Sequence, residues 1–372
     1  MADNKLFRVL INGLHARSGG GVTYLRNMLP LLAEERDVEI HLCLHEDQRG
    51  VLPVDLEQVT YHFLAFRRGF WNVLWREQID VPRLARKISA DVTFSPANYG
   101  PVFVRNPVVM VRNAVSVGLV ERRPAKLAYW VLLYLATLLS LITCNGAIAV
   151  SEYARKLGTS GLPGRLRQRI TIVPHGVNRS YAIDPDIIRG KNTVLAVSDI
   201  YVQKNFKNLL LAFSQLSDKH PDVHLKIAGR PVDLAYVEEL KTLIKNHHLE
   251  QKVEFLGHMD EARLVDLYRR CTVFVFPSTV ETFGNPLVEA MACGAPIASS
   301  NAAAMPEVLG DAGVYFDPAD VKAMADTLDQ LLADPHLRSE YSKKASERAS
   351  QYSWEKTRQD TLAVLKSAGH KA

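Results

Sequence analysis

Paired cysteines are missing from this sequence. Cys43, Cys144, Cys271 and Cys293 are the only four in 372 residues, they are widely spaced, and none forms a C-x-x-C pair. A disulfide framework is not supported, and a reducing compartment fits better. Twelve histidines supply no H-E-x-x-H, and His41 and His45 fall where they would alternate along, or just beyond, a strand rather than bind metal. No G-x-G-x-x-G is present, which argues against a dinucleotide-dependent oxidoreductase. The start, MADNKLFRVLING, lacks the charged region, apolar stretch and small-residue cleavage site of a secretory signal, so it reads as a first strand of a cytoplasmic protein. Tandem repeats and low-complexity tracts are also lacking.

Short apolar runs alternate with helical patterns from end to end. FRVLING, VEIHLCL, VTYHFLAF, DVTFSP, VVMVRN, GAIAVS and ITIVP occupy the first half, and TVLAVSD, HLKIAG, VEFLGH, TVFVFPS, APIASS and GVYF the second. Strands separated by helices form βαβ units, which impose parallel sheets covered on both faces. The chain exceeds the usual size of one core, so two α/β domains of about 180 residues each are expected, both doubly wound and Rossmann-like. Proline, glycine and charge interrupt the pattern over 178–192. The expected division is a first domain over 1–180, a linker over 181–192, a second domain over 193–352 and a final segment over 353–372. Open parallel sheets bind ligands at the carboxyl ends of their strands, so two such domains facing across a cleft would hold one substrate each.

Charge is divided unevenly. Residues 1–180 hold 23 Lys and Arg against 14 Asp and Glu, while the remainder holds 22 against 26. The basic half should attract an anionic partner, and nothing points to nucleic acid. The run Leu127 to Thr143, LAYWVLLYLATLLSLIT, follows Arg122, Arg123 and Lys126. It is marginal for a membrane span, and it suits either a buried or partly exposed helix or attachment to an anionic membrane surface. Asp184-Pro185-Asp186 spells a D-x-D, but it lies in the linker with no apolar strand before it, so no metal site is expected there.

The segment Pro277 to Gly294, PSTVETFGNPLVEAMACG, is the richest in chemistry. Glu281 lies beyond the carboxyl end of the strand TVFVF. Asn285 and Pro286 read as the N-cap and first residue of a helix, with Glu289 in its first turn and Gly294 as its stop. Amides of Phe283, Gly284 and Asn285 at that helix start would suit a phosphate, and the carboxylates would suit sugar hydroxyls. The residues alone leave open that Glu281 is a loop acid and that Glu289 only favours the helix dipole.

The segment resembles the E-x7-E motif of the retaining, GT-B-fold glycosyltransferases of family four, with E-T-F-G-N-P, E-A-M-A-C-G and A-P in step. The resemblance runs from Gly19 to the C-terminus, where Ser353-Trp354-Glu355 and TRQDTLAVLK match a helix that returns to the first domain. It implies that Glu281 contacts hydroxyls of the donor sugar and that Glu289 holds the ribose of the nucleotide. Lys204-Asn205 matches the end of the family's phosphate-binding pattern, while Ser198 stands where an arginine is expected, and Arg230 is the nearest replacement cation by position. Gly19, Gly20 and Gly21 follow the first strand, where their amides would cradle the phosphate, admit the acceptor or only connect strand to helix; with Tyr24 they resemble the family's S-G-G-x-x-x-Y start, which puts Gly20 and Gly21 among the donor-binding residues. Arg112 and Asn113 replace a His-Asp pair, and Asn113 can donate a hydrogen bond but cannot act as a base. His175 in PHGV ends the last strand of the first half and lines the cleft or serves as a hinge or packing residue.

The implied activity is retaining transfer of a sugar from a nucleotide-diphosphate sugar to a glycan or a lipid-linked acceptor in bacterial polysaccharide or lipopolysaccharide synthesis. A cofactor is not expected, nor a metal, because Lys204 and helix N-termini would supply the positive charge. The alternative is a non-catalytic glycan-binding or regulatory partner of an active transferase.

Overall fold

The structure, a computed structural model, describes residues 6–17, 19–52, 56–67, 69–112 and 124–370. Asn113, Arg122 and Arg123 lie outside the described residues. The chain divides into two compact units, Met1–Gly176 with Trp354–Ala372, and Val177–Ser353.

The first unit is built on β1 (Phe7–Asn12), β2 (Val38–His45), β3 (Val59–Leu64), β4 (Val92–Ser95), β5 (Pro107–Val111), β6 (Gly146–Ala149) and β7 (Ile170–Ile172). They form one sheet in the order β3-β2-β1-β4-β5-β6-β7, with every pair parallel. Val92–Ser95 and Pro107–Val111 are buried along their whole length, as strands covered on both faces must be. The C-terminal helix Trp354–Gly369 belongs to this unit and packs on β4, β5, β6 and the helix Gly20–Ala33. Tyr24, His175 and Trp354 form an aromatic cluster, with the His175 ring stacked on Trp354 at 5.6 Å. The His175 ring thus packs within this cluster.

The second unit is built on β8 (Thr193–Val197), β9 (His224–Ala228), β10 (Val253–Gly257), β11 (Val273–Phe276), β12 (Ile297–Ser300) and β13 (Val314–Phe316). The order is β10-β9-β8-β11-β12-β13, again all parallel. Its core joins Phe206, Phe213, Leu225, Ile227, Val275 and Leu328, all fully or almost fully buried. Each such side chain contributes about 1.5–3 kcal/mol relative to exposure.

The stretch expected as a linker, 181–192, is instead fastened to the second unit. The Arg189 guanidinium donates to the carbonyls of Tyr268, Arg269 and Cys293 at 2.8, 2.9 and 2.5 Å. Upstream, Ser180 and Asn178 both donate to the Glu261 carboxylate. Composition alone suggested a break here, and these side-chain bonds to one unit move it upstream to Gly176 and Val177.

Strand order reverses between β1 and β4 in the first unit and between β8 and β11 in the second. Ligands of open parallel sheets bind beyond the carboxyl ends of the strands at such points.

Candidate functional site

In the second unit the reversal point is occupied by charge. The 3₁₀ turn Val202–Lys204 follows β8, and Glu281 follows β11. Lys204 Nζ and Glu281 Oε1 form an ion pair whose side chains are only 16 and 17% exposed. Backbone geometry presents both residues. Asn205 sits in the left-handed region with φ 58°, and its side-chain amide donates to the carbonyls of Pro277 and Pro318 at 3.1 and 2.8 Å. Thr279 donates through both its amide and its hydroxyl to the Gln203 carbonyl, which ties the Lys204 turn to the Glu281 loop.

The helix after Glu281 spans Asn285–Ala292 and differs by one position from the expected start. Gly284 is the N-cap, with φ 88°, and Asn285 and Pro286 are the first and second helical residues. Two constraints select glycine at 284: the left-handed backbone, and a Cβ that would lie 3.1 Å from the Phe276 ring. Glu289 accordingly sits in the second turn, not the first, so stabilising the helix dipole does not account for it. Gly294 ends the helix with φ 64°, as expected. Phe283 is buried edge-on against Tyr352 at 5.6 Å, which anchors the turn carrying Gly284.

Glu289 accepts a hydrogen bond from the Tyr268 hydroxyl at 3.0 Å. Burial pushes its carboxyl up to about 7; the Tyr268 bond opposes this and the charge of Glu261 adds to it. A carboxylate lifted into the physiological range at a strand-end site is a group in need of hydrogen-bond donors.

Among the described residues, the arginine expected at Ser198 has no replacement that stands ready. Ser198 closes β8 with its amide on the Ala228 carbonyl, and its hydroxyl donates to the Asp199 carbonyl at 3.2 Å. Arg230 does stand beside this turn, but Asp199 holds it in a two-point pair, with Nη2 to Oδ2 at 2.5 Å and Nε to Oδ1 at 3.2 Å. Burial raises the Asp199 carboxyl, but the bonds and charge of Arg230, with the charge of Lys204, more than offset this and hold it below the usual range. Ser198, Asp199, Lys204 and Arg230 thus form one cluster in which Lys204 is the cation nearest Glu281.

In the first unit, Gly20 and Gly21 open the helix Gly20–Ala33. A Cβ on Gly21 would lie 2.3 Å from Nη2 of Arg112, so the guanidinium is laid directly against the glycine turn. Burial lowers the Arg112 pKa to about 10. Arg112, read from sequence only as half of a replaced His-Asp pair, therefore places a cation at the positive end of a helix, a charge arrangement that favours an anion.

One cluster was not foreseen. Glu77, fully buried on the helix Phe70–Lys87, accepts from Asn12 Nδ2 at 2.5 Å and pairs with His15 Nε2 at 2.9 Å, both on Oε1. His15 packs edge-on against Tyr99 at 4.7 Å. Asn12 ends β1, His15 follows it and Tyr99 follows β4, so the cluster occupies the reversal point of the first sheet. Its sequence signal was a lone acid among Leu74, Val81 and Ala85 on the inward stripe of the helix.

His41 is satisfied by His62 and Glu39, and His45 by the Phe66 carbonyl, which gives both structural roles. Asp184 of the D-x-D pairs with Arg269. Among the described residues no cluster of three or more His, Cys, Asp or Glu could hold a metal ion. No described helix is long and apolar enough to cross a membrane.

Residues 182–348 match the family model for glycosyl transferases group 1. The match falls within the second unit and covers most of it. Over 176 residues the chain is 32% identical to the O-antigen chain mannosyltransferase B of Escherichia coli, covering 46% of this chain and 45% of that protein. Over 217 residues it is 33% identical to the phosphatidyl-myo-inositol mannosyltransferase of Mycolicibacterium smegmatis, covering 56% and 54%. The match thus spans about half the length of these relatives. Among solved structures, Anabaena HepE in complex with UDP and glucose aligns over 97% of this chain and all of that one, with TM-score 0.77 and 19% identity. The two Rossmann-like units are those of the GT-B fold.

Proposed function

We propose that the protein is a retaining, metal-independent glycosyltransferase that moves a sugar from a nucleotide-diphosphate sugar to a glycan or lipid-linked acceptor in bacterial polysaccharide or lipopolysaccharide synthesis. The observation that carries this reading is the Lys204–Glu281 pair, with Glu289 on the following helix, at the strand-order reversal of a group 1 domain. On donor binding the pair would open. Lys204 would meet the diphosphate as its charge grows on bond cleavage, and Glu281 would accept from sugar hydroxyls. Glu289 would accept from the ribose, with the Gly284 turn against the donor. Ser198 would border the phosphates, Arg230 would reach them only by sharing its charge with Asp199, and Gly20 and Gly21 are proposed as donor contacts on sequence grounds alone. Asn113 is proposed near the reacting sugar on sequence grounds alone.

Fixed cations at the leaving group do the electrostatic work that a bound Mg²⁺ would otherwise do, which supports metal independence. The exposed stripe Leu127, Val131, Leu135, Leu139 and Ile142 on the helix Pro124–Thr143 supports peripheral docking on an anionic membrane surface, since the first unit holds 26 Lys and Arg against 16 Asp and Glu. A non-catalytic glycan-binding partner is the competing reading, favoured by Ser198 and by the Asp199-held Arg230.

The test is transfer in EDTA followed by proton NMR of the product. The expected outcome is an undiminished rate with the donor's anomeric configuration retained. Inversion, or a rate that needs added metal, would overturn the respective part of the reading.

A further inference from the structure

A groove of about 530 Å³ runs along the first unit, within the range of small-molecule sites. Its lining includes Leu74 and Trp75 of the helix Phe70–Lys87, Leu135 and Leu139 of the helix Pro124–Thr143, and Val102 and Phe103. Among the described residues no charged side chain lines it. The polar side chains on its floor are committed to the floor's own backbone: Gln78 bonds the Gly100 carbonyl and the Val102 amide, and Ser140 accepts from the Gly100 amide. A sugar would find nothing to pair with there, whereas a hydrocarbon chain would fit. Trp75 and Phe103 remain 65 and 80% exposed, an unusual cost unless something covers them.

The groove adjoins the polar cluster at the sheet's reversal point, because Tyr99 lines the groove and packs against His15. Beyond Tyr99 lies His15, then Glu77, whose Oε2 is buried with no hydrogen-bond partner among the described residues. The surrounding sequence is basic: residues 101–143 carry Arg105, Arg112, Arg122, Arg123 and Lys126 against the single acid Glu121. An apolar slot that ends in hydrogen-bonding groups, on a cationic unit, matches an anionic amphiphile.

We propose that this groove seats the hydrocarbon chain of a lipid-phosphate-linked acceptor, with the acceptor's polar end turned toward Tyr99 and the His15–Glu77 pair. The proposal rests on the transferase reading for its word acceptor, but not for its ligand chemistry. His15 meets the polar end directly, and Glu77 is a positioning residue that holds the imidazole.

The probe is a series of alkyl phosphates from hexyl to dodecyl, kept below their micelle concentrations, with decyl phosphate brominated on the chain to quench Trp75. Affinity is expected to rise roughly three- to fourfold per methylene. Quenching should diminish in Trp75→Phe, and Ala136→Trp, which fills the groove, should weaken decyl phosphate at least tenfold. Val102→Trp fills it from the other side and serves if the first variant fails to fold, which circular dichroism reports. Affinity indifferent to chain length, or wild-type affinity in both folded variants, would overturn the proposal. So would quenching that arises only with phosphatidylglycerol vesicles, which would make the groove a membrane-docking face. Chain-length dependence in a wild-type protein that binds no nucleotide would sink the transferase reading and leave the lipid site standing.

Discussion

Lys204→Ala is expected to lower turnover by about 10²–10³-fold, the range found when one pre-organised donor is removed from developing negative charge. The loss should fall on kcat more than on KM, because the interaction strengthens as the diphosphate departs. The same substitution leaves Glu281, only 17% exposed, without its cation. Its effect on stability should lie between the ~0–1 kcal/mol of an exposed pair and the ~3–5 kcal/mol of a buried one. The two contributions separate in a simple control: Mg²⁺ should restore part of the variant's turnover if a missing charge is the cause, and leave its melting temperature unchanged. A lowered melting temperature with unaltered kcat would show that the pair is structural.

Glu289 gives the second large effect, and it depends on pH. In the unfolded chain the carboxyl titrates near 4.5, while in the folded protein burial holds it at about 7. Between these values the folded state keeps a proton that the unfolded state has released. The stability tied to this group is thus fully present below 4.5 and lost as pH rises through about 7. Donor binding has the opposite preference, since ribose hydroxyls donate to, and favour, the ionised form. Nucleotide-sugar affinity should tighten by about tenfold between pH 6 and 8, and flatten above. The diphosphate of a nucleotide sugar carries no proton that titrates in this range, so the change belongs to the protein. Glu289→Gln should abolish the pH dependence and weaken binding by about 10–100-fold, as expected for lost hydrogen bonds to a charged acceptor. A Glu289→Gln protein that keeps the wild-type profile would remove Glu289 from the ribose.

The strands were legible because parallel strands covered on both faces must be apolar throughout, and VFVF at 273–276 or TVLAV at 193–197 admits little else once glycine, proline and charge mark its ends. The positions of Glu281 and Glu289 came from one contiguous motif. Pairings across sequence were not legible: Lys204 and Glu281 are 77 residues apart and His15 and Glu77 are 62 apart, and only the sheet order brings either pair together. The helix start was misread by one residue because Asn-Pro is a common cap and first turn, whereas the left-handed geometry of Gly284 takes the cap position here. Residues 181–192 look like a linker by composition, and it is the Arg189 bonds to four carbonyls, those of Tyr268, Arg269, Cys271 and Cys293, that make them part of a unit. Arg112 showed no sign in sequence that it would lie buried against Gly21.

The central claim, that the second unit holds a nucleotide-sugar donor through Lys204, Glu281 and Glu289, is tested most directly by calorimetric titration in EDTA. Wild type and Glu289→Ala would be titrated with UDP, GDP, ADP, CMP and dTDP. One nucleotide should bind the wild type, stabilise it by about 2.7 kcal/mol at 100 times Kd, and bind the variant far more weakly. Binding of a glycan with no response to any nucleotide would contradict the claim and identify a protein that keeps the fold for recognition alone.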